Sequence, residues 1–364
     1  MKKAASFALG CKVNQYESEA IAELFAEKGY EIVGIDEEAD VYVINTCTVT
    51  NFGDKKSRQL IRKVKRQNEN AIVAVVGCYA QTAPKELMEI AGVNLVIGTK
   101  DRAQIVEMVE QYDRANGVEN HVSDIMKERV FEPLSIQKLA NRTRAYLKIQ
   151  DGCSQYCSYC IIPYARGPIR SREPQEVVAE VKRLAENGFK EVVLTGIHVA
   201  SYGKDRRDTS LLDILKQVHE VEGIERIRFS SIEPNVVTEE FAQTMAALPK
   251  VCDHFHLSLQ SGCDKTLKEM NRKYDTEKYR QAVATLRKYL PKVALTTDII
   301  VGFPGETEED FRESYAFAEE IGFAKIHVFP YSPKRGTPAA ARKDQLLNAV
   351  KSERSHTLIQ LSDR

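Results

Sequence analysis

The chain of 364 residues predicts an α/β protein built as two consecutive series of strand–helix units. Three observations predict it. Short apolar strands alternate with amphipathic helices from one end to the other, the pattern of parallel sheets covered by helices. Cysteines stand directly after several of the strands. The longest apolar runs, such as AIVAVV at 71–76, are of strand length and far short of a membrane span of about 20 residues.

In the first series, SFALG reads as a strand and 15–28 as a helix. VYVINT (41–46) is a strand followed by a basic helix. AIVAVVG (71–77) is a strand followed by a helix from Pro84, and NLVIG (94–98) a strand followed by a helix from about Asp101. This is an N-terminal parallel-sheet, Rossmann-like domain over residues 1–112. Residues 113–143 have weak periodicity and read as a linker, with Ile125, Val130 and Phe131 as anchors over the first domain. The second series has strands AYLKIQ (145–150), EVVLTG (191–196), RIRFSS (226–231), FHLSLQ (255–260), ALTTDIIVGF (294–303) and KIHVFPYS (325–332). Among its helices, 174–187 opens on Pro174, carries a stripe of Val177, Val178, Val181 and Leu184, and exits at Gly188. Six βα units are fewer than the eight of a closed barrel, so residues 144–364 predict an open (β/α)6 partial TIM barrel.

Composition sets outer bounds. A 43% hydrophobic share is ordinary for a globular protein. MKKAASFALG is too short for a signal peptide's apolar core, which predicts a cytoplasmic location and no membrane association. There thiols stay reduced and available to metals. Charges balance at 52 against 52, so net charge predicts no polyanionic partner. Locally, Lys55, Lys56, Arg58, Arg62, Lys63, Lys65 and Arg66 run without an acid among them. Such a helix is either a solvated face or a phosphate-contacting one, and the absence of interleaved acids favours phosphate.

The most informative run is DGCSQYCSYCIIPYARG, which holds Cys153, Cys157 and Cys160 at a CxxxCxxC spacing. A complete thiolate shell for an iron–sulfur cluster needs four cysteines, so three leave one iron open to an outside ligand. A zinc site would want a fourth ligand, and no other Cys or His lies within ten residues on either side. A disulfide with one spare thiol would fit an oxidising compartment. A second trio is dispersed: Cys11 follows SFALG, Cys47 follows VYVINT and Cys78 follows AIVAVVG. In a parallel sheet all strand C-termini share one edge, where ligands bind. Three thiols at that edge make a second metal site; the alternative is three small residues capping strands.

The CxxxCxxC run with Tyr159 resembles the signature of the radical S-adenosylmethionine (radical SAM) enzymes. LGCKVNQYES, VINTCTVTN, VVGCYAQ, LKIQDGCSQYCSYCIIPYARG, VLTGIH, SSIEPN, LQSGCD, DIIVGFPGET and FPYSPKRGTPAA together resemble the methylthiotransferases of that superfamily. GCKVNQYE, NTCTVTN and TGIH resemble most the branch acting on tRNA threonylcarbamoyladenosine, ahead of the isopentenyladenosine and ribosomal-protein branches.

The resemblance implies two [4Fe–4S] clusters and S-adenosylmethionine. Cys153, Cys157 and Cys160 would hold the cluster that cleaves the cofactor. Cys11, Cys47 and Cys78 would hold an auxiliary cluster that delivers sulfur to C2 of the adenosine. An aromatic C–H is too strong for acid–base chemistry, so cofactors must carry the step. The implied partners are the tRNA anticodon stem-loop and an electron-donor protein. Tyr159 is placed to cover the cofactor's adenine or to pack in the core. Thr195 and Gly196 resemble the segment that meets the methionine amine. Ser230, Ser231 and Glu233 are placed to bond a ribose or carboxylate. Gln260 ends the fourth strand, and Gly302 to Glu306 resemble the stretch bordering the adenine. Arg166, Arg170 and Arg172 would meet tRNA phosphates or form ion pairs, with phosphate slightly favoured. His198 and His256 read as structural histidines, and Cys252 and Cys263 as free thiols. Ser258 and Cys263 stand where relatives commonly show Pro and Ser. The chain ends at Arg364, before the RNA-gripping TRAM β-barrel usual in the family, which predicts a truncated segment and a larger share of RNA binding for the basic helix. Two other readings remain: a radical SAM reaction on a peptide or ribosomal protein, and a non-catalytic RNA-binding protein with structural metal.

Overall fold

The computed structural model describes residues 1–136 and 143–364; the part of the predicted linker at 137–142 lies outside the described residues. The chain divides into two compact units. One comprises Met1–Ser154, Ile161–Phe189 and Thr195–Ile197; the other comprises Gln155–Cys160, Lys190–Leu194 and His198–Arg364.

The first unit is built on β1 (Lys3–Ala8), β2 (Glu31–Ile32), β3 (Val41–Thr46), β4 (Ile72–Gly77), β5 (Leu95–Val96) and β6 (Glu119–Asn120). They form one sheet in the order β2-β1-β3-β4-β5-β6, and every pairing is parallel. Helices α1 (Lys12–Glu27), α2 (Asn51–Gln67), α3 (Cys78–Thr82), α4 (Pro84–Met88) and α5 (Ile105–Gln111) connect the strands. Strand alternation explains the two cores. Tyr42, Ile44, Val73 and Val75 point to one face, where Ile61 and Val64 of α2 cover them. Val41, Val43, Ala74 and Val76 point to the other, against Ile21 and Phe25 of α1 and Ile105, Val106 and Val109 of α5. Burial on both faces is why β3 and β4 read as continuous apolar runs.

Two details differ from expectation. The linker region supplies an edge strand, β6, whose two residues are too few to show a period. Of the expected anchors, Ile125 is buried and Phe131 is half-buried with Lys148 and Arg172 over its ring, whereas Val130 is 71% exposed; Leu134 and Ile136 are buried too. The same unit contains β7 (Arg144–Asp151), α6 (Ile162–Arg166), β8 (Arg170–Ser171) and α7 (Pro174–Glu186). β8 pairs antiparallel with the end of β7, Asp151 opposite Arg170.

The second unit carries Glu191–Leu194 of β9 (Glu191–Gly196), α8 (Leu211–His219), β10 (Arg226–Phe229), α9 (Glu239–Ala247), β11 (His254–His256), α10 (Asp264–Glu269), α11 (Thr276–Tyr289), β12 (Ala294–Val301), α12 (Glu308–Ile321), β13 (Lys325–Pro330) and α13 (Asn348–Ser362). β9–β10, β11–β12 and β12–β13 pair in parallel. Parallel bridges at Ile227–Val251 and Ile232–Leu257 run between the β10 and β11 segments. β9 to β13 are five of the six strands expected of the open (β/α)6 partial barrel. Phe229, Phe241 and Phe255 meet at ring separations of 5.4–6.2 Å in its packing layer. Side-chain caps at Ser210, Thr238, Asp275 and Thr307 start four of the helices, the last with a full capping box to Asp310. Among the described residues no helix is long and apolar enough to cross a membrane.

Candidate active site

In the first unit the parallel register sets the thiols. Ala8 lies opposite Asn45, and Thr46 opposite Gly77. Cys47 and Cys78 are therefore each one residue past paired positions, and Cys11 follows two residues after Leu9 as the N-cap of α1. Gly10 makes the approach possible: its φ is +102°, and a Cβ there would sit 2.6 Å from Cys47 Cβ and 2.7 Å from Cys47 Sγ. The three cysteines thus gather at one edge of the sheet.

A buried charge cluster supports this edge. Arg166 of α6, fully buried, donates from Nε to Cys78 Sγ at 3.2 Å and from Nη2 to Asn14 Oδ1 at 2.7 Å. It also pairs with the buried carboxylates of Glu17 and, at 3.5 Å, Asp151. Glu17 also pairs with Arg102 at 2.6 Å and with Lys148 Nζ at 2.7 Å, and Lys148 reaches Asp151 at 2.5 Å. Burial opposes ionisation of Glu17, but Arg102, Arg166 and Lys148 outweigh it and hold the carboxyl well below its usual range. Asp151 is likewise held low: burial is outweighed by Lys148, Arg166 and Arg170. Burial pushes the Cys47 thiol up to about 12, and raises Cys78 against the opposing pull of Arg166. Such thiols become thiolates when a metal displaces their protons. Soft sulfur donors at one edge, with a guanidinium set against one of them, fit an iron–sulfur cluster, which is anionic with its thiolates.

This placement corrects one expectation. Arg166, Arg170 and Arg172 are all buried, so none is a free phosphate contact. Arg170 lies 3.5 Å from Asp151, and Arg172 pairs with Glu180 at 2.6 Å. An isolated buried charge is too costly to leave unpaired, so each is neutralised inside. Sequence reasoning also missed Glu17, Asn14 and Lys148. A signal existed for one: Glu17 falls on the helix stripe of Val13, Ala20, Ile21 and Leu24, where an acid is out of place.

Cys153 belongs to the same unit, with its backbone N bonded to Gly167 O at 3.0 Å. So do Thr195, which is buried, and Gly196, which ends β9.

In the second unit, Cys157 and Cys160 sit on a clamped loop. Ser158 bonds through N to Met270 O (3.0 Å) and through Oγ to Glu269 O (2.8 Å), and Asn271 Nδ2 donates to Tyr156 O at 2.8 Å. Arg272, which nothing in the sequence singled out, donates from Nη1 to Cys157 Sγ at 3.1 Å. Its other arm pairs with Glu233 Oε1 at 2.7 Å, and its plane stacks on Tyr274 at 4.8 Å. Glu233 therefore orients Arg272 and also meets His198 Nε2 at 3.4 Å; burial would raise this carboxyl, and His198 and Arg272 bring it below its usual value. Tyr159 packs against Met270, Phe303, Tyr331 and Ala339. Ser230 bonds Leu194 O at 2.9 Å after β10, and Ser231 beside it is exposed. Gln260, at φ +69°, bonds β12 through Asp298 O and Ile300 N. Gly302, at φ +70°, is packed under Lys351, whose Cγ lies 2.4 Å from where a Cβ would stand. Cys263 is buried, its Sγ 3.6 Å from Asp310.

Two family models match the chain: Radical SAM superfamily over residues 147–318, and Uncharacterized protein family UPF0004 over residues 3–98. A relative from Bacillus subtilis (strain 168), named threonylcarbamoyladenosine tRNA methylthiotransferase MtaB, is 50% identical over 365 residues, covering 100% of this chain and 81% of that protein. The chain belongs to the radical SAM methylthiotransferase family. A relative of the same name from Aquifex aeolicus (strain VF5) is 40% identical over 362 residues, 100% of this chain and 88% of that one. The fold of this methylthiotransferase is also similar to that of a radical S-adenosylmethionine methyltransferase, TsrM, from Kitasatospora setae: TM-score 0.67, 17% identity, 93% of this chain and 75% of that one. Radical SAM methylthiotransferases use S-adenosylmethionine and two [4Fe–4S] clusters, and two cysteine trios are what this chain offers for them.

Proposed function

We propose that this methylthiotransferase converts threonylcarbamoyladenosine beside the tRNA anticodon to its 2-methylthio derivative. The observation that carries the reading is the relative of that name, half identical over the entire chain, together with a sheet edge that gathers Cys11, Cys47 and Cys78 beside Arg166. Residues 1–112 would hold the sulfur-donating cluster and 144–364 the radical machinery, with 113–143 between them. When bound, the clusters and S-adenosylmethionine supply the radical, the sulfur and the methyl group.

The chain's own residues divide the remaining work. Arg166 neutralises charge at Cys78 and ties it to Asn14 and Glu17. Arg272, held by Glu233, does the same at Cys157 and fixes the loop that carries Cys160. Cys153 completes the second ligand trio. Thr195, Gly196, Ser230, Ser231, Gln260 and Gly302 would supply strand-end groups for the cofactor, and Tyr159 would cover its adenine. A cytoplasmic location and an electron-donor protein complete the proposal.

The test is anaerobic incubation of the cluster-loaded chain with S-adenosylmethionine, a reductant and tRNA bearing threonylcarbamoyladenosine. Mass spectrometry of the digested tRNA should show the methylthio nucleoside. Product formed only on isopentenyladenosine would move the enzyme to the sibling branch. No product on either, with about eight irons present, would overturn the tRNA assignment.

A further inference from the structure

β11, β12 and β13 are adjacent parallel strands, and their register brings together three side chains of metal-ligating type, none of them from either cysteine trio. His256 lies opposite Thr296, and Asp298 opposite His327. Residues two apart on a strand share a face, so His256, Asp298 and His327 project from the same side of the sheet. Phe255, Leu295, Ile299 and Ile326 fill the other side and are buried. The two long imidazoles flank the short aspartate. Their rings stack at 5.8 Å with an interplanar angle of 28°, and one donor atom from each of the three residues lies within 4.8 Å of the others.

Two features distinguish this from a chance meeting of polar side chains. His256 Nδ1 is 3.1 Å from the Thr296 hydroxyl, which fixes the ring. Its Nε2 is buried without a hydrogen bond and faces Asp298 Oδ2 at 3.3 Å. A hydroxyl bonded to one ring nitrogen, with the other nitrogen left without a hydrogen bond, is the arrangement of a metal-ligating histidine. The 3.3 Å separation is also the edge of a tetrahedron with bonds of about 2.0 Å, the length of zinc–nitrogen and zinc–oxygen contacts.

We propose that His256, Asp298 and His327 form a third metal site, for a single divalent cation of the zinc class, with its remaining position open to water or to an oxygen ligand. Two imidazoles select against magnesium and calcium, which take oxygen shells. The site is independent of the methylthiotransfer reading.

The full chain, with both clusters in place and under anaerobic conditions, is dialysed against buffered zinc and gel-filtered. Metal analysis should then find one zinc per chain in addition to the iron. Zinc K-edge absorption, which does not see iron, should show nitrogen and oxygen neighbours at about 2.0–2.1 Å and no sulfur at about 2.3 Å. His327→Gln, at an exposed position, should weaken retention at least ~10-fold with iron unchanged, and Thr296→Val should weaken it ~10-fold or more through the His256 ring alone. Absence of retained zinc in the parent chain, sulfur neighbours at the zinc, or undiminished binding in His327→Gln would each overturn the proposal.

Discussion

Gly10 shows how much of the first cysteine site is decided by one hydrogen atom. Its positive φ and the 2.6 Å approach of Cys47 leave no room for a methyl group. Gly10→Ala should therefore displace Cys47 while leaving the second cysteine trio intact. The expected outcome is a fall from about eight irons per chain towards about four, measured after anaerobic reconstitution. Retention of the full complement would show that the edge tolerates the displacement. Arg166 and Arg272 follow the same logic in their own units: each sets a guanidinium about 3 Å from a cysteine sulfur and is itself held by a carboxylate. No local pattern in the sequence marks either role, because the partners come from residues 88 and 115 positions away.

At the scale of the element, α2 is where reading and structure agree most usefully. The basic run lies on one helix, capped by Thr50, with Ile61 and Val64 turned inward. Burial divides its seven cations. Arg58 bonds the Tyr79 hydroxyl at 2.9 Å and Lys65 reaches Ala71 O at 3.1 Å, so those two help pack the helix. Lys55, Lys56, Arg62, Lys63 and Arg66 are exposed, and Lys63 pairs with Asp36. Lys55, Lys56 and Arg62 are the exposed cations of this helix to test as phosphate contacts. Replacing all three by Glu should weaken tRNA binding and flatten its log–log salt dependence by about 2–3, near 0.7–0.9 for each lost contact. Filter binding across a salt series measures this; an unchanged slope would mean that α2 is only a solvated face. Helix positions were legible here because a 3.6-residue period survives over 17 residues. The two-residue strands β5, β6 and β8 were misjudged in length or missed, since two residues carry no period.

At the scale of the whole molecule, the buried network of Glu17, Arg102, Lys148, Asp151 and Arg166 joins α1, β7 and α6 within the first unit. Glu17 and Asp151 are held below their usual values in the folded chain. Depressed carboxyls contribute stability that is complete above the unfolded value, near pH 4, and is lost as pH falls through the folded one. The melting temperature of this unit should be flat from pH 7 to about 5 and fall steeply below about pH 4. Glu17→Gln should flatten the acid slope and cost roughly 3–5 kcal/mol at pH 7, because it leaves buried cations short of an anion. A variant as stable as the parent, read by calorimetry, would show that the network is neutral to stability.

The strand–helix alternation, the fold class and the CxxxCxxC run of Cys153, Cys157 and Cys160 were determined by the sequence alone. Those features depend on periods and short spacings, which are local and survive without a structure. Tertiary structure alone decided which charges are spent inside. Arg166 and Arg172 look like RNA ligands in a linear reading and become internal counterions in the fold. Arg272, Glu17 and the His256–Asp298–His327 group acquire their meaning only through strand register and helix packing. The physical reason is that a buried charge or an open imidazole nitrogen is defined by its neighbours in space, and those neighbours are far away along the chain.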